Sequence, residues 1–191
     1  MKSKILYFIL AYVLLIVVMF LLPPFSAGDY SLLRNTISQL GAQATPNAWV
    51  MNVTFAALGL SVMTAGWKFL KNYWLQRILL LVFGVSLVLV AFYRHSPIDI
   101  SLDYSNREHQ IHSIFSSVTG FSFTMFAFSM AFIFKHMYDR WVAMLVGVFS
   151  VLLTMLMYSI ADFAGIWHRM VFIMSFGWLI YVFGSKRKKK L

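Results

Sequence analysis

Residues 5–22 read ILYFILAYVLLIVVMFLL, eighteen positions without a charge, followed at once by Pro23-Pro24. As an α-helix this run is about 27 Å long, close to the roughly 30 Å of a bilayer's hydrocarbon core. Its length decides between two readings. Met1-Lys2-Ser3-Lys4 resembles the positive start of a secretory signal, but the apolar region of such a signal spans only about 7–15 residues. Leu22-Pro23-Pro24-Phe25 also lacks a small-x-small cleavage site. The reading is a retained membrane helix, stopped at its far end by the two prolines.

Five more runs of similar character follow, at about 49–67, 75–93, 113–134, 141–161 and 166–183. The composition agrees: 61% of the 191 residues are hydrophobic and 12% are charged, about half the charged share of a soluble domain. A water-soluble globule is excluded. The expectation is an all-α integral membrane protein, a six-helix bundle forming one domain over residues 1–184, with a basic tail at 185–191. There is no cysteine, so disulfides, thiolate metal sites and cysteine nucleophiles are excluded as well.

The net charge of +10 would suit a nucleic-acid partner if the cations were gathered on one groove, but an up-and-down connection of the spans sorts them differently. Lys2, Lys4, Lys68, Lys71, Arg77, Lys135, Arg140 and five residues of the tail fall on one side, and Arg34, Arg94, Arg107 and Arg169 on the other. Twelve cations against four predict cytoplasmic N and C termini in a cell (inner) membrane. The tail is then an anchor for anionic headgroups, and membrane lipids rather than nucleic acid are the expected partners. Trp67, Tyr73, Trp74, Tyr138 and Trp141 mark the inner interface, and Trp49, Tyr93 and Trp167 the outer one.

Asp29, Asp99, Asp103, Glu108, Asp162 and four of the five histidines join the arginines on the outer side. That mixture is the expected functional site. In the first outer loop, Leu33, Ile37 and Leu40 recur at helical spacing and Gly41 follows, which predicts a short amphipathic helix that either roofs the bundle or seals the lipid boundary. Thr45-Pro46 reads as the start of the second span. In the second outer loop, Ser105 and Glu108 have capping-box spacing, which starts the fourth helix near Asn106 and runs it to Met137. His109, His112, Ser113 and Ser116 then share an edge, and two imidazoles at i and i+3 can hold a divalent metal such as zinc. The alternative is a packing stripe of Ser113, Ser116, Gly120 and Thr124. Glycines 59, 66, 84, 120 and 147 read as sites of close helix contact. Between the last two spans, Asp162 and Arg169 are expected to form an ion pair, or Asp162 to support the histidines of the fourth span.

The stretch Arg34-Asn35-Thr36-Ile37-Ser38-Gln39-Leu40-Gly41, with Thr45-Pro46-Asn47-Ala48 and Asn52, resembles the first outer loop of the bacterial and archaeal membrane family called domain of unknown function 998. His112, and Gly165-x-x-His168-Arg169 with Trp178 in the last span, agree with it, although glutamine or glutamate more often precedes that arginine. The resemblance implies a six-helix inner-membrane protein whose activity is not established. Lipid hydrolases of the alkaline ceramidase superfamily use serine, aspartate and histidines around zinc. The chain has that inventory without their motif spacing.

Three functions compete on these residues. As a lipid-directed hydrolase or transferase, the chain would use His109, His112 and Asp162 with Ser38 or Ser116 on the reacting group, a metal on His109 and His112, and Arg34, Asn35, Asn52, Arg94 and Arg169 on the substrate, with Asp99 orienting. As a binding or transport module, it would hold a lipid or small amphiphilic ligand beneath the first loop. As a structural or regulatory partner of another membrane protein, it would use the outer polar residues only to close loops.

Overall fold

A computed structural model of the protein describes residues 2–184. The basic tail at 185–191 lies outside the described residues. Six α-helices carry the fold: α1 Lys2–Leu21, α2 Ala48–Phe69, α3 Trp74–Phe92, α4 Asn106–Ile133, α5 Met137–Ser159 and α6 Ala164–Gly184. Among the described residues there is no strand, and all six helices are long and apolar enough to cross a membrane. Each helix packs on its neighbours in the chain, and α6 returns to α1, where Phe8 and Phe183 meet at 6.4 Å between ring centroids. The described chain ends therefore share one end of the bundle. Loops 22–47, 93–105 and 160–163 occupy the other, called here the loop end.

Burial follows what a bilayer would ask of this sequence. Phe8, Leu15, Phe55, Leu58, Phe126, Phe176 and Leu179 are buried in the core, while Phe92, Phe121 and Phe132 are exposed on the helix flanks. Lipid supplies no hydrophobic force between helices, so close approach must come from small side chains. Gly59 and Gly84 provide it between α2 and α3: a Cβ on Gly59 would lie 2.5 Å from the Gly84 carbonyl. Trp67, Trp74, Tyr138 and Trp141 are exposed at one end and Trp49 and Tyr93 at the other, as two interfacial belts would be.

Local signals held where they were local. Ser105 caps α4, its Oγ accepting from Glu108 N at 3.2 Å, and the helix starts at Asn106 as the spacing predicts. It stops at Ile133 instead of Met137, and α5 begins after the extended His136. The second helix starts at Ala48, not at Thr45-Pro46, because Asn47 takes a left-handed φ of 56° and turns its side chain back to the Phe25 carbonyl (2.8 Å). In place of a regular amphipathic helix, the first loop forms a 3-10 turn at Ile37–Gly41. The Gln39 side chain accepts from Thr36 N at 2.8 Å and starts the turn. Ile37 and Leu40 are fully buried, whereas Leu33 is half exposed, so the apolar residues of the loop do not form a single face.

Candidate functional site

The loop end is built around two anchors. Gly165 and Arg169, one turn apart on α6, present one face to the first loop. The Gly165 N–H donates to the Leu33 carbonyl (2.8 Å), and a Cβ at Gly165 would overlap the Leu32 carbonyl and lie 2.5 Å from that of Asn35. Only glycine admits the loop backbone so closely. Arg169 is buried, and the two N–H groups of its Nη1 are shared among the carbonyls of Leu32 (3.0 Å), Asn35 (3.1 Å) and Gly165 (2.8 Å), while its Nε is buried without a partner. Its Nη2 donates to the Tyr30 hydroxyl at 2.7 Å. That hydroxyl lies 3.1 and 3.0 Å from the carbonyls of Asn35 and Thr36, to one of which it donates. Burial pushes the Tyr30 phenol above its ordinary range, with Arg169 pulling the other way, so it keeps the proton it donates.

The second anchor is Gln43, which the sequence reading passed over. Its Nε2 donates to the carbonyls of Arg94 (3.2 Å) and Ser105 (3.1 Å), and its Oε1 accepts from Ser105 N at 2.8 Å. Its own N–H donates to the His95 carbonyl at 2.9 Å. One buried side chain thus ties the first loop to the end of α3 and the start of α4.

Beside Gln43 stand three histidines. The His95 ring lies edge-on to those of His109 and His112, at centroid distances of 4.6 and 5.3 Å. Their tautomers follow from their partners, since a carbonyl can only accept. His112 Nδ1 faces the Tyr93 carbonyl at 2.7 Å and His95 Nδ1 the Ser96 carbonyl at 2.8 Å, so both carry Nδ1–H. His109 Nδ1 accepts from Ser96 N at 3.1 Å and carries no proton there. Burial lowers the pKa of His95, and His109 adds to the shift against the Ser96 carbonyl. Among the described residues no group of three or more His, Asp or Glu is arranged to hold a metal ion.

Below the first loop, a cavity of about 410 Å³ opens between α3, α4, α5 and α6. Ser38 lines it from the loop, Ser116, Gly120 and Thr124 from α4, and His168 and Ser175 from α6. Phe123 and Phe176 line its deep end, where Trp178 meets Phe123 at 6.0 Å between centroids and joins α4 to α6. Ser116, Gly120 and Thr124 therefore open a space, and a Cβ on Gly120 would meet nothing within 4 Å. The packing stripe and the close contact expected at Gly120 are corrected. The rim includes Phe121, Met155 and Tyr158, all exposed on the flank of the bundle, so the cavity opens sideways between α4 and α5. His168 and Ser175, which line it, each have one side-chain atom buried without a hydrogen-bond partner, Nδ1 and Oγ respectively.

The expected site residues thus divide. Ser38 and Ser116 share the cavity. His109 and His112 share a cluster with His95, a member the sequence reading did not single out. Asn35, Asn52 and Arg169 hold the first loop, Asn52 Nδ2 donating to the Gly41 carbonyl at 3.1 Å. Arg94 pairs with Glu108 (3.0 Å), and Arg34 is exposed. Asp162 is exposed in a 3-10 turn and makes no ion pair with Arg169, whose partners are neutral oxygens. Asp99 is engaged locally with Ser101 N and Oγ (2.9 and 2.6 Å), and those bonds hold its carboxyl below the ordinary range. His168, which the sequence reading set aside, faces the cavity. The periodicity of α6 carried that signal, because His168 lies off the face shared by Gly165 and Arg169.

Six apolar helices, a loop end closed by polar anchors and a lateral cavity define a multi-pass membrane protein of the all-α class. The chain belongs to the family described as Protein of unknown function (DUF998), whose family model matches residues 9–184. No curated protein and no solved structure matches it.

Proposed function

We propose that this protein binds a membrane amphiphile in the cavity beneath its first loop, the apolar chain of the ligand entering from the bilayer between α4 and α5. One observation carries the reading: a cavity of about 410 Å³ that reaches the exposed flank of the bundle, its wall mostly aromatic and aliphatic with the hydroxyls of Ser38, Ser116 and Thr124 among them. The apolar lining suits a hydrocarbon chain, and the few hydroxyls can bond to a polar headgroup. The test is extraction and mass spectrometry of lipid co-purifying with the full chain, compared with Gly120→Phe, which fills the space. Wild-type protein should carry a stoichiometric amphiphile that the variant lacks. Equal lipid content in both would overturn the reading.

The loop end faces away from the cytoplasm of a cell membrane in this reading, supported by Lys4, Lys68, Lys71, Arg77, Lys135 and Arg140 at the opposite end. Because the chain has no cysteine, Ser101→Cys offers a clean probe. A membrane-impermeant maleimide should label it in intact cells, and labelling only after lysis would reverse the orientation.

A lipid-directed hydrolase or transferase is the second reading. It is favoured by Ser38, Ser116 and His168 lining one cavity. Changed membrane lipid profiles in His109→Ala, His112→Ala and His168→Ala strains would support it, and unchanged profiles would remove it.

A further inference from the structure

Resting on the amphiphile-binding reading, we infer that the occupant carries an anionic oxygen headgroup, a carboxylate or a phosphate, seated at the loop end of the cavity beside Arg169. Charge is the first argument. Arg169 is 3% exposed, and its terminal nitrogens reach only three carbonyls and a phenol. Those oxygens satisfy the terminal N–H groups and leave the positive charge unpaired, and Nε is buried without a partner. The chain has six acids that could offset it, and none does. Asp29, Asp99, Asp103 and Asp162 are exposed, Glu108 pairs with Arg94, and Asp139 stands at the opposite end of the bundle, where it accepts from the Tyr181 hydroxyl at 2.8 Å. The segment 185–191 contains no Asp or Glu. A buried ion without a counter-charge is costly, and an anion supplied from outside the chain offsets that cost.

Placement joins this charge to the cavity. Arg169 holds the loop, while its neighbour His168 lines the space from α6 and Ser38 lines it from the 3-10 turn two residues beyond the Asn35 carbonyl that Arg169 binds. Hydrogen-bond direction agrees. The hydroxyls of Ser38, Ser116 and Tyr158 line the cavity and donate to no acceptor among the described residues. Ser38 lies in the first loop, Ser116 in the first half of α4 and Tyr158 next to the last residue of α5, so all three stand toward the loop end, as Arg169 does. A carboxylate or phosphate only accepts, and it is bound best by several donors near a cation. No Asp or Glu lines the cavity to repel it. The headgroup therefore meets unspent donors and a positive field at the loop end, and the hydrocarbon chain meets Phe123 and Phe176 at the deep end.

The test uses native mass spectrometry of the full chain with an equimolar mixture of oleate, 1-oleoyl-lysophosphatidate, oleyl alcohol and 1-monooleoylglycerol, in buffer alkaline enough to keep oleate ionised. At least one anion should exceed both neutral lipids about tenfold, the order expected of a single charge pair partly screened by the protein. Which anion leads tells carboxylate from phosphate. Arg169→Gln keeps side-chain N–H donors for the loop but removes the charge, and should bring oleate down to the level of oleyl alcohol, with helicity by circular dichroism as the control for folding. Should that variant fail to fold, Ser38→Ala combined with Ser116→Ala leaves the arginine in place and should lower the anion preference about threefold. Neutral lipids binding as well as both anions, and lost in Gly120→Phe, would overturn the headgroup inference and leave the amphiphile reading standing. An anion preference untouched by these substitutions would overturn the assigned seat. Failure of all four probes to bind would overturn the headgroup inference and the amphiphile reading together.

Discussion

Arg169 and His168 are neighbours in sequence at the same end of α6, and they live in opposite conditions. The guanidinium of Arg169 is buried with four hydrogen bonds from its terminal nitrogens, all to oxygens of the protein itself. The imidazole of His168 touches Phe172 edge-on at 5.0 Å, lines the cavity, and leaves its Nδ1 without a partner. The first is a joint, whose energy is spent on holding the loop over the bundle. The second makes no hydrogen bond to the loop and borders the cavity instead. A motif that runs together in sequence as His-Arg thus separates into a part that builds the roof and a part that faces what lies under it.

Breaking the joint should have the largest effect. Arg169→Met removes the donor to the Leu32 and Asn35 carbonyls and to the Tyr30 hydroxyl, and should cost about 3–5 kcal/mol, lowering the thermal midpoint in detergent by about 10 °C. A shift of only a degree or two would mean that the carbonyls find other donors. Gly165→Ala pushes a methyl group into the loop backbone and should cost about 1–3 kcal/mol, with faster proteolysis within residues 26–47 as a second readout. Gln43→Ala removes three hydrogen bonds between loops. It should cost about 2 kcal/mol and speed amide exchange at Ser105 more than at Asn35, which would separate the two anchors.

The histidine cluster sharpens the comparison through pH. Burial lowers the pKa of His95, so the unfolded chain binds a proton more readily than the folded one. Stability is then complete above the ordinary histidine value of about 6.5 and is lost as pH falls below it. His95→Gln should flatten that slope, and an unchanged slope would place the titration elsewhere. The smallest effects belong to exposed charges: Arg34→Ala and Asp162→Asn should each stay within about 0.5 kcal/mol and leave lipid occupancy unaltered. A large effect from Asp162→Asn would restore the carboxylate to the site.

What was legible in the sequence was whatever depends on near neighbours. Hydropathy fixed the six spans because each is a continuous run, and Ser105 with Glu108 announced the start of α4 because a cap is three residues long. Charge pairing misled at Asp162 and Arg169. Irregular loop backbone leaves carbonyls without helical donors, and those neutral oxygens satisfy a buried guanidinium without a second buried charge. Gln43 and His95 escaped notice because their partners lie in distant segments, up to 62 residues away for Gln43. The small-residue stripe on α4 was visible, but whether such a stripe packs or opens depends on the opposite helix. There, Trp178 joins α6 to α4 only at the deep end.

If the proposed amphiphile binds, the sideways mouth between Phe121 and Met155 changes what its affinity means. A molecule that arrives through it never crosses water, so its effective concentration is its mole fraction in the surrounding leaflet, which is far above any aqueous value for a lipid. On the amphiphile-binding reading, modest intrinsic binding would then keep the site filled at ordinary membrane abundance.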